Sequence, residues 1–129
     1  MRLIIAGCRD FHDYGVFITA MIKYLETNPR PDEIVSGAAL GVDRMGERWA
    51  EENKIPVRLF PADWKKYGYS AGPRRNAEMA LHADRLLVLW DGQSRGTGNM
   101  VAQMKAAKKP VYVYPIGKPD LDGVRSIDR

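Results

Sequence analysis

Cysteine is nearly missing from this chain, with Cys8 alone among 129 residues. A single thiol excludes an internal disulfide and fits a reducing compartment, so the sequence reads as cytoplasmic. Histidine is equally scarce. His12 and His82 lie far apart with no cysteine cluster near either, so no metal site is expected. No apolar run approaches the ~20 residues that cross a bilayer, which argues against a membrane partner. The opening Met1–Gly7 is apolar, but Arg9 and Asp10 interrupt it too soon for a secretion signal. Two nucleotide signatures are missing as well. The absence of G-x-x-x-x-G-K-[ST] disfavours a Walker-type triphosphate hydrolase, and the absence of G-x-G-x-x-G at the first turn disfavours an ordinary dinucleotide dehydrogenase.

What is present is an alternation of short apolar runs and amphipathic stretches. Arg2–Ala6, Glu33–Ser36, Ile55–Phe60, Leu86–Trp90 and Val111–Pro115 read as strands. Pro56 suggests that the third lies at an edge. Ile18, Met21, Ile22 and Leu25 recur at helical spacing within residues 14–27, a helix that Asn28-Pro29 ends. Val42, Met45 and Trp49 mark the buried side of a second helix. Pro73 opens a third, reaching about His82, which is suited to a helix C-terminus. Met100, Val101, Met104 and Ala107 form the stripe of the last. Between Pro61 and Gly72 lies the longest irregular segment, the length expected of a lid or binding loop. Strands alternating with helices imply an α/β fold with a parallel sheet of about five strands and helices on both faces. Gly117–Arg129 has almost no apolar content, so the domain is assigned to residues 1–116 and a polar tail to 117–129.

In such folds ligands bind beyond the carboxyl ends of the strands, and three polar or glycine-rich turns fall there. The first holds Gly7, Arg9 and Asp10, the second Ser36, Gly37 and Gly41, the third Asp91, Gly92, Ser94, Gly96, Thr97 and Gly98. A strand, a glycine-rich turn and a helix aim free N–H groups and the positive end of the helix dipole at an anion, most naturally a phosphate. Tight turning alone is the competing explanation for the glycines. Arg9, Arg74, Arg75 and Arg95 can clamp phosphate bidentately, and Trp64, Tyr67 and Tyr69 supply aromatic surface for stacking a base. Asp10, Asp43 and Asp91 can accept ribose hydroxyls or support charge during N-glycosidic cleavage, though capping and turn formation also explain them. Cys8 is either a nucleophile near a helix N-terminus or, more ordinarily, a small packing residue. The net charge of +4 favours anionic partners without identifying one.

Four segments in order carry a resemblance: Gly7-Cys8-Arg9-Asp10-Phe11, Val35–Asp43, Ala71-Gly72-Pro73-Arg74-Arg75-Asn76, and Trp90–Thr97. Together they resemble the YspA-like family of the SLOG superfamily, which is similar to the DNA-processing protein DprA and the LOG phosphoribohydrolases. The resemblance spans roughly residues 1–116 and implies a Rossmann-like sheet and a nucleotide or nucleotide-derived ligand. Ser36, Gly37, Gly41 and Asp43 match the superfamily's S-G-x-x-x-G-x-D turn. Gly72, Arg74 and Asn76 match a G-P-x-R-N-like segment in part, the arginine next to Asn76 here being Arg75. Gly96 and Thr97 match the G-T step of the P-G-G-x-G-T-x-x-E signature of the hydrolases, whose catalytic glutamate falls on Met100. Relatives by resemblance are often dimers, and Trp49 or the last helix is a source of an apolar face for a homodimer.

Three functions follow from these features. The leading one is a sensor or binding protein for a nucleotide or nucleotide-derived small molecule, with a nucleotide-like ligand expected and no cofactor identified. The alternative is an N-glycosidic hydrolase or transferase acting on a nucleotide, nucleoside or NAD-like substrate, with Asp91, Asp10 or Asp43 as the acting carboxylate. A second alternative is single-stranded DNA binding in the manner of DprA, through Lys65, Lys66, Arg74 and Arg75 beside Trp64, Tyr67 and Tyr69.

Overall fold

The computed structural model describes residues 1–117, so the assigned polar tail lies, beyond Gly117, outside the described residues. Among the described residues there are five strands, β1 (Arg2–Gly7), β2 (Glu33–Ser36), β3 (Val57–Leu59), β4 (Arg85–Trp90) and β5 (Val111–Pro115). Every neighbouring pair is parallel, in the order β3-β2-β1-β4-β5. The helices are α1 (Tyr14–Thr27), α2 (Val42–Glu52), α3 (Trp64–Tyr67), α4 (Ala71–His82) and α5 (Arg95–Ala106). This is a single α/β Rossmann-like domain.

Side-chain alternation along the central strands divides the core into two layers. Leu3, Ile5, Leu87 and Leu89 face α1 and α2, and Ile4, Ala6, Leu86 and Val88 face α4 and α5. A continuous apolar run such as Leu86–Leu89 is therefore buried on both faces. Trp49 belongs to the first layer rather than to an exposed face.

Several boundaries differ from the sequence expectation for local reasons. The buried stripe of α1 is Phe17, Ala20, Met21 and Tyr24, and Ile22 is 58% exposed. Two overlapping stripes share Met21, and the one carrying two rings removes more apolar area from water. β3 is an edge strand, as Pro56 suggests, but only three residues long. Ile55 is taken up by an N–H bond to Ala50 O, while Pro56 O and Ser36 O close the ladder at either end. The segment 61–72 is not irregular throughout. Asp63 caps α3 by accepting the Lys66 N–H at 3.1 Å, a tight turn follows at Gly68–Ser70, and α4 begins at Ala71. Pro73 thus occupies the third helical position, still within the first turn, where its missing N–H costs little. Ala107 lies just past the end of α5 and is exposed.

Candidate functional site

Strand order reverses between β1 and β4, because β1 leads on to β2 on one side and β4 to β5 on the other. The crossovers leave from that point toward opposite faces, so a crevice opens beyond the strand ends. A cavity of about 570 Å³ occupies it. That size suits a small-molecule ligand.

Each wall comes from a different stretch of chain. Ala6 and Gly7 come from the end of β1 and Arg9 from just beyond it, Ala39 from the β2–α2 turn and Asp43 from the first turn of α2, and Trp64 and Tyr69 from the segment after β3. Gly72, Pro73, Arg75, Asn76 and Met79 line it from α4, and Ser94, Arg95, Gly96, Thr97, Asn99 and Met100 from the start of α5. The first turn of α5 holds no acidic residue, and its leading N–H groups lie beyond the reach of the helix's own carbonyls. A helix N-terminus of this kind favours an anion.

The β2–α2 turn is built around Asp43, which is 5% exposed. Its Oδ2 accepts the Ala39 N–H at 3.3 Å. Burial pushes its carboxyl up to about 7, with Glu47 adding to the rise and the Ala39 and Gly37 N–H groups and Arg75 opposing it. Gly37 separates Asp43 from Arg75, and a Cβ there would sit 2.5 Å from Arg75 Nη1 and 2.9 Å from Asp43 Oδ2. Arg75 Nη1 donates to Gly37 O, and burial lowers its pKa while Asp43 holds it up.

Asn76 ties α4 to α5. Its Nδ2 donates to Asn99 Oδ1 at 2.9 Å and to Gly96 O at 3.3 Å, and its Oδ1 accepts from Arg75 Nε at 3.0 Å. Replacing Asn76 by Ala is expected to cost about 2 kcal/mol, because a buried amide and its three part-buried hydrogen bonds are lost. Urea denaturation midpoints measure this, and a loss near zero would mean that the α4–α5 junction does not depend on the amide.

Other residues expected at the site have structural occupations off the cavity wall. Ser36 is fully buried, donating to Glu47 Oε2 at 2.6 Å and accepting from the Ala38 N–H at 3.1 Å. Gly41 brings its turn against the carbonyls of Cys8 and Arg9. Asp91 Oδ1 accepts the N–H groups of Gln93 and Ser94 at 2.8 Å each, closing the turn before α5 in which Gly92 has φ +79°. Gly98 packs under the Trp90 ring. Arg74 stacks on Tyr67 and bonds Ser70 Oγ at 3.1 Å, outside the cavity. Asp10 is exposed in the β1–α1 loop. Cys8 is buried, and burial pushes its thiol up, away from the reactive thiolate. His82 Nε2 lies 2.5 Å from Glu33 Oε1 at the end of α4.

Met79, Asn99 and Met100 are wall residues that the sequence does not mark as site candidates. Apolar helical spacing marks a methionine for the core, and both methionines are 1% exposed. No spacing signal distinguishes one whose edge also floors a cavity. Among the described residues no group of His, Cys, Asp and Glu could hold a metal ion, and no helix is long and apolar enough to cross a membrane.

A family model described as the YspA, cpYpsA-related SLOG family matches residues 1–67. The Gene 61 protein of Mycobacterium phage D29 is 33% identical over 119 residues, covering 88% of this chain and 95% of that protein. No solved structure matches the chain significantly.

Proposed function

The chain belongs to the YspA, cpYpsA-related SLOG family, and on that premise we propose that it is a binding protein for a nucleotide or nucleotide-derived small molecule. The observation that carries this reading is the cavity at the strand-order reversal, with the N-terminus of α5 and three arginines on its wall. The phosphate sits at Ser94–Thr97 within reach of Arg9 and Arg95, where backbone N–H groups and guanidinium forks suit its oxygens. The base packs against Trp64 and Tyr69. Tyr69 is 98% exposed, so a ligand gives that ring its first packing partner of size.

Binding is favoured over glycosidic cleavage by the character of the floor. Met100, where the resembling hydrolases carry a glutamate, offers no proton. Asp91 is engaged in its turn, and Asp43 is the carboxylate on the wall. A hydrolytic role would therefore fall to Asp43. Lys65, Lys66 and Arg74 lie off the wall, so the cavity itself does not favour single-stranded DNA.

Thermal unfolding with AMP, NAD or adenosine tests the reading, followed by chromatography for free base. The phosphate-bearing compounds are expected to stabilise saturably, by about 2.7 kcal/mol at a hundredfold excess over Kd. That corresponds to a rise on the order of 10 °C. Release of free base would replace the binding role with the hydrolytic one. No stabilisation by any nucleotide would remove the reading.

A further inference from the structure

The cavity wall carries the guanidinium groups of Arg9, Arg75 and Arg95 and, among the described residues, one carboxyl, that of Asp43. An anion drawn in by the arginines meets that carboxyl where it is 5% exposed and little water intervenes to screen the repulsion. Its surroundings cannot fully offset the charge. Arg75 faces it from α4 across Gly37, but Arg75 also donates to Gly37 O and approaches Phe60 O at 3.5 Å. Arg9, just past the end of β1, lowers the pKa of Arg75 by its like charge. Glu47, one turn along α2, adds a second negative group and is itself bound to Ser36 of β2 and to Arg44. From α1 the titratable group on α2 is Tyr14, bound to Glu52 at the far end of the helix, and β3 contributes the exposed Arg58.

Resting on the nucleotide reading above, we propose that Asp43 takes up a proton as an anionic ligand enters, so that the cavity binds a phosphate-bearing nucleotide together with one proton. The proton comes from solvent and no other bond changes. Protonation removes the one negative charge on the wall and converts an acceptor into a hydrogen-bond donor toward a ligand oxygen. Burial already carries this carboxyl to about 7, so the proton is accessible near neutrality. Asp43 is thereby the residue that makes the site discriminate by ligand charge. A nucleoside without phosphate enters without the proton, and a phosphate monoester enters with it.

The test follows the Asp43 carboxyl carbon by NMR across its titration in the intact protein, alone, with saturating AMP and with adenosine. AMP is expected to raise the midpoint by about one unit or more, equivalent to about tenfold tighter binding to the protonated form. Adenosine is expected to leave it in place. Asp43→Asn supplies an independent readout, because the titration of AMP itself is common to both proteins. The ratio of the variant's affinity for AMP to the wild type's should rise about fivefold or more from about pH 6 to about pH 8. An unmoved or lowered midpoint with AMP, or a ratio constant with pH, overturns the proposal. Thermal stabilisation by AMP in the same samples separates the two failures. If AMP stabilises the protein and the midpoint stays, the nucleotide site stands and the proton linkage falls; if AMP stabilises nothing, both fall.

Discussion

Gly41→Ala is expected to destabilise the protein by at least about 3 kcal/mol, adding backbone strain to overpacking. Gly41 has φ 76° and ψ −127°, a conformation that a side chain strongly disfavours. An added Cβ would collide with Cys8 O and lie 2.6 Å from Arg9 O, and these are backbone atoms that cannot swing aside. The approach matters because Val42 N–H donates to Cys8 O at 3.3 Å, pinning the start of α2 to the end of β1. Displacing this turn moves Arg9 and Asp43 apart, so ligand affinity should fall with stability. Gly96→Ala is the control. It lies in the first turn of α5 with nothing within 4 Å of an added Cβ, and its stability should change by less than about 1 kcal/mol. Equal losses for the two glycines, measured by urea denaturation, would refute the close-approach explanation.

The second large effect is a pH dependence centred on Asp43. Its carboxyl stands at about 7 in the folded protein against an ordinary 3.8, so the folded state holds a proton that the unfolded chain releases. Stability from this group is fully present below about pH 4 and is lost as pH rises to about 7, a total on the order of 4 kcal/mol. Asp43→Asn abolishes the titration while keeping an oxygen able to accept the Ala39 N–H. The variant should therefore match the wild type near pH 4 and exceed it increasingly toward pH 8. Asp84, held low by the Arg2 N–H, works in the opposite direction, but it is common to both proteins and cancels in their difference. A stability gap that does not change with pH would show that Asp43 is not a strained, buried acid.

The alternating pattern was enough to read the fold, because Leu86–Leu89 and Ile4–Ala6 are apolar on both faces and Pro56 marks an edge. Elements without periodicity were harder. A helix of four residues such as Trp64–Tyr67 spans barely one turn and leaves no stripe that distinguishes it from a loop. At the site, the three turns were legible from their glycines, but which side chain faces the ligand was not. Arg74 and Arg75 are adjacent in sequence and about 100° apart around α4, so one stacks on Tyr67 and the other enters the cavity. Asp43 is marked by the sequence as a site candidate in a first helical turn, but its depth is not. Its burial arises from α4 and the preceding turn closing over it, contacts that no local spacing encodes. Asp91 is open between turn and chemistry in the sequence, and in the structure its Oδ1 accepts two short N–H bonds from its own turn.

Amide chemical-shift mapping with AMP measures most directly whether the separate turns form one nucleotide site. The account predicts that Gly7, Ala39, Gly72, Gly96 and Thr97 shift together along one saturation curve, while β5 and the far end of α2 stay unperturbed. Shifts confined to a single turn, or centred on the opposite end of the sheet, would contradict it.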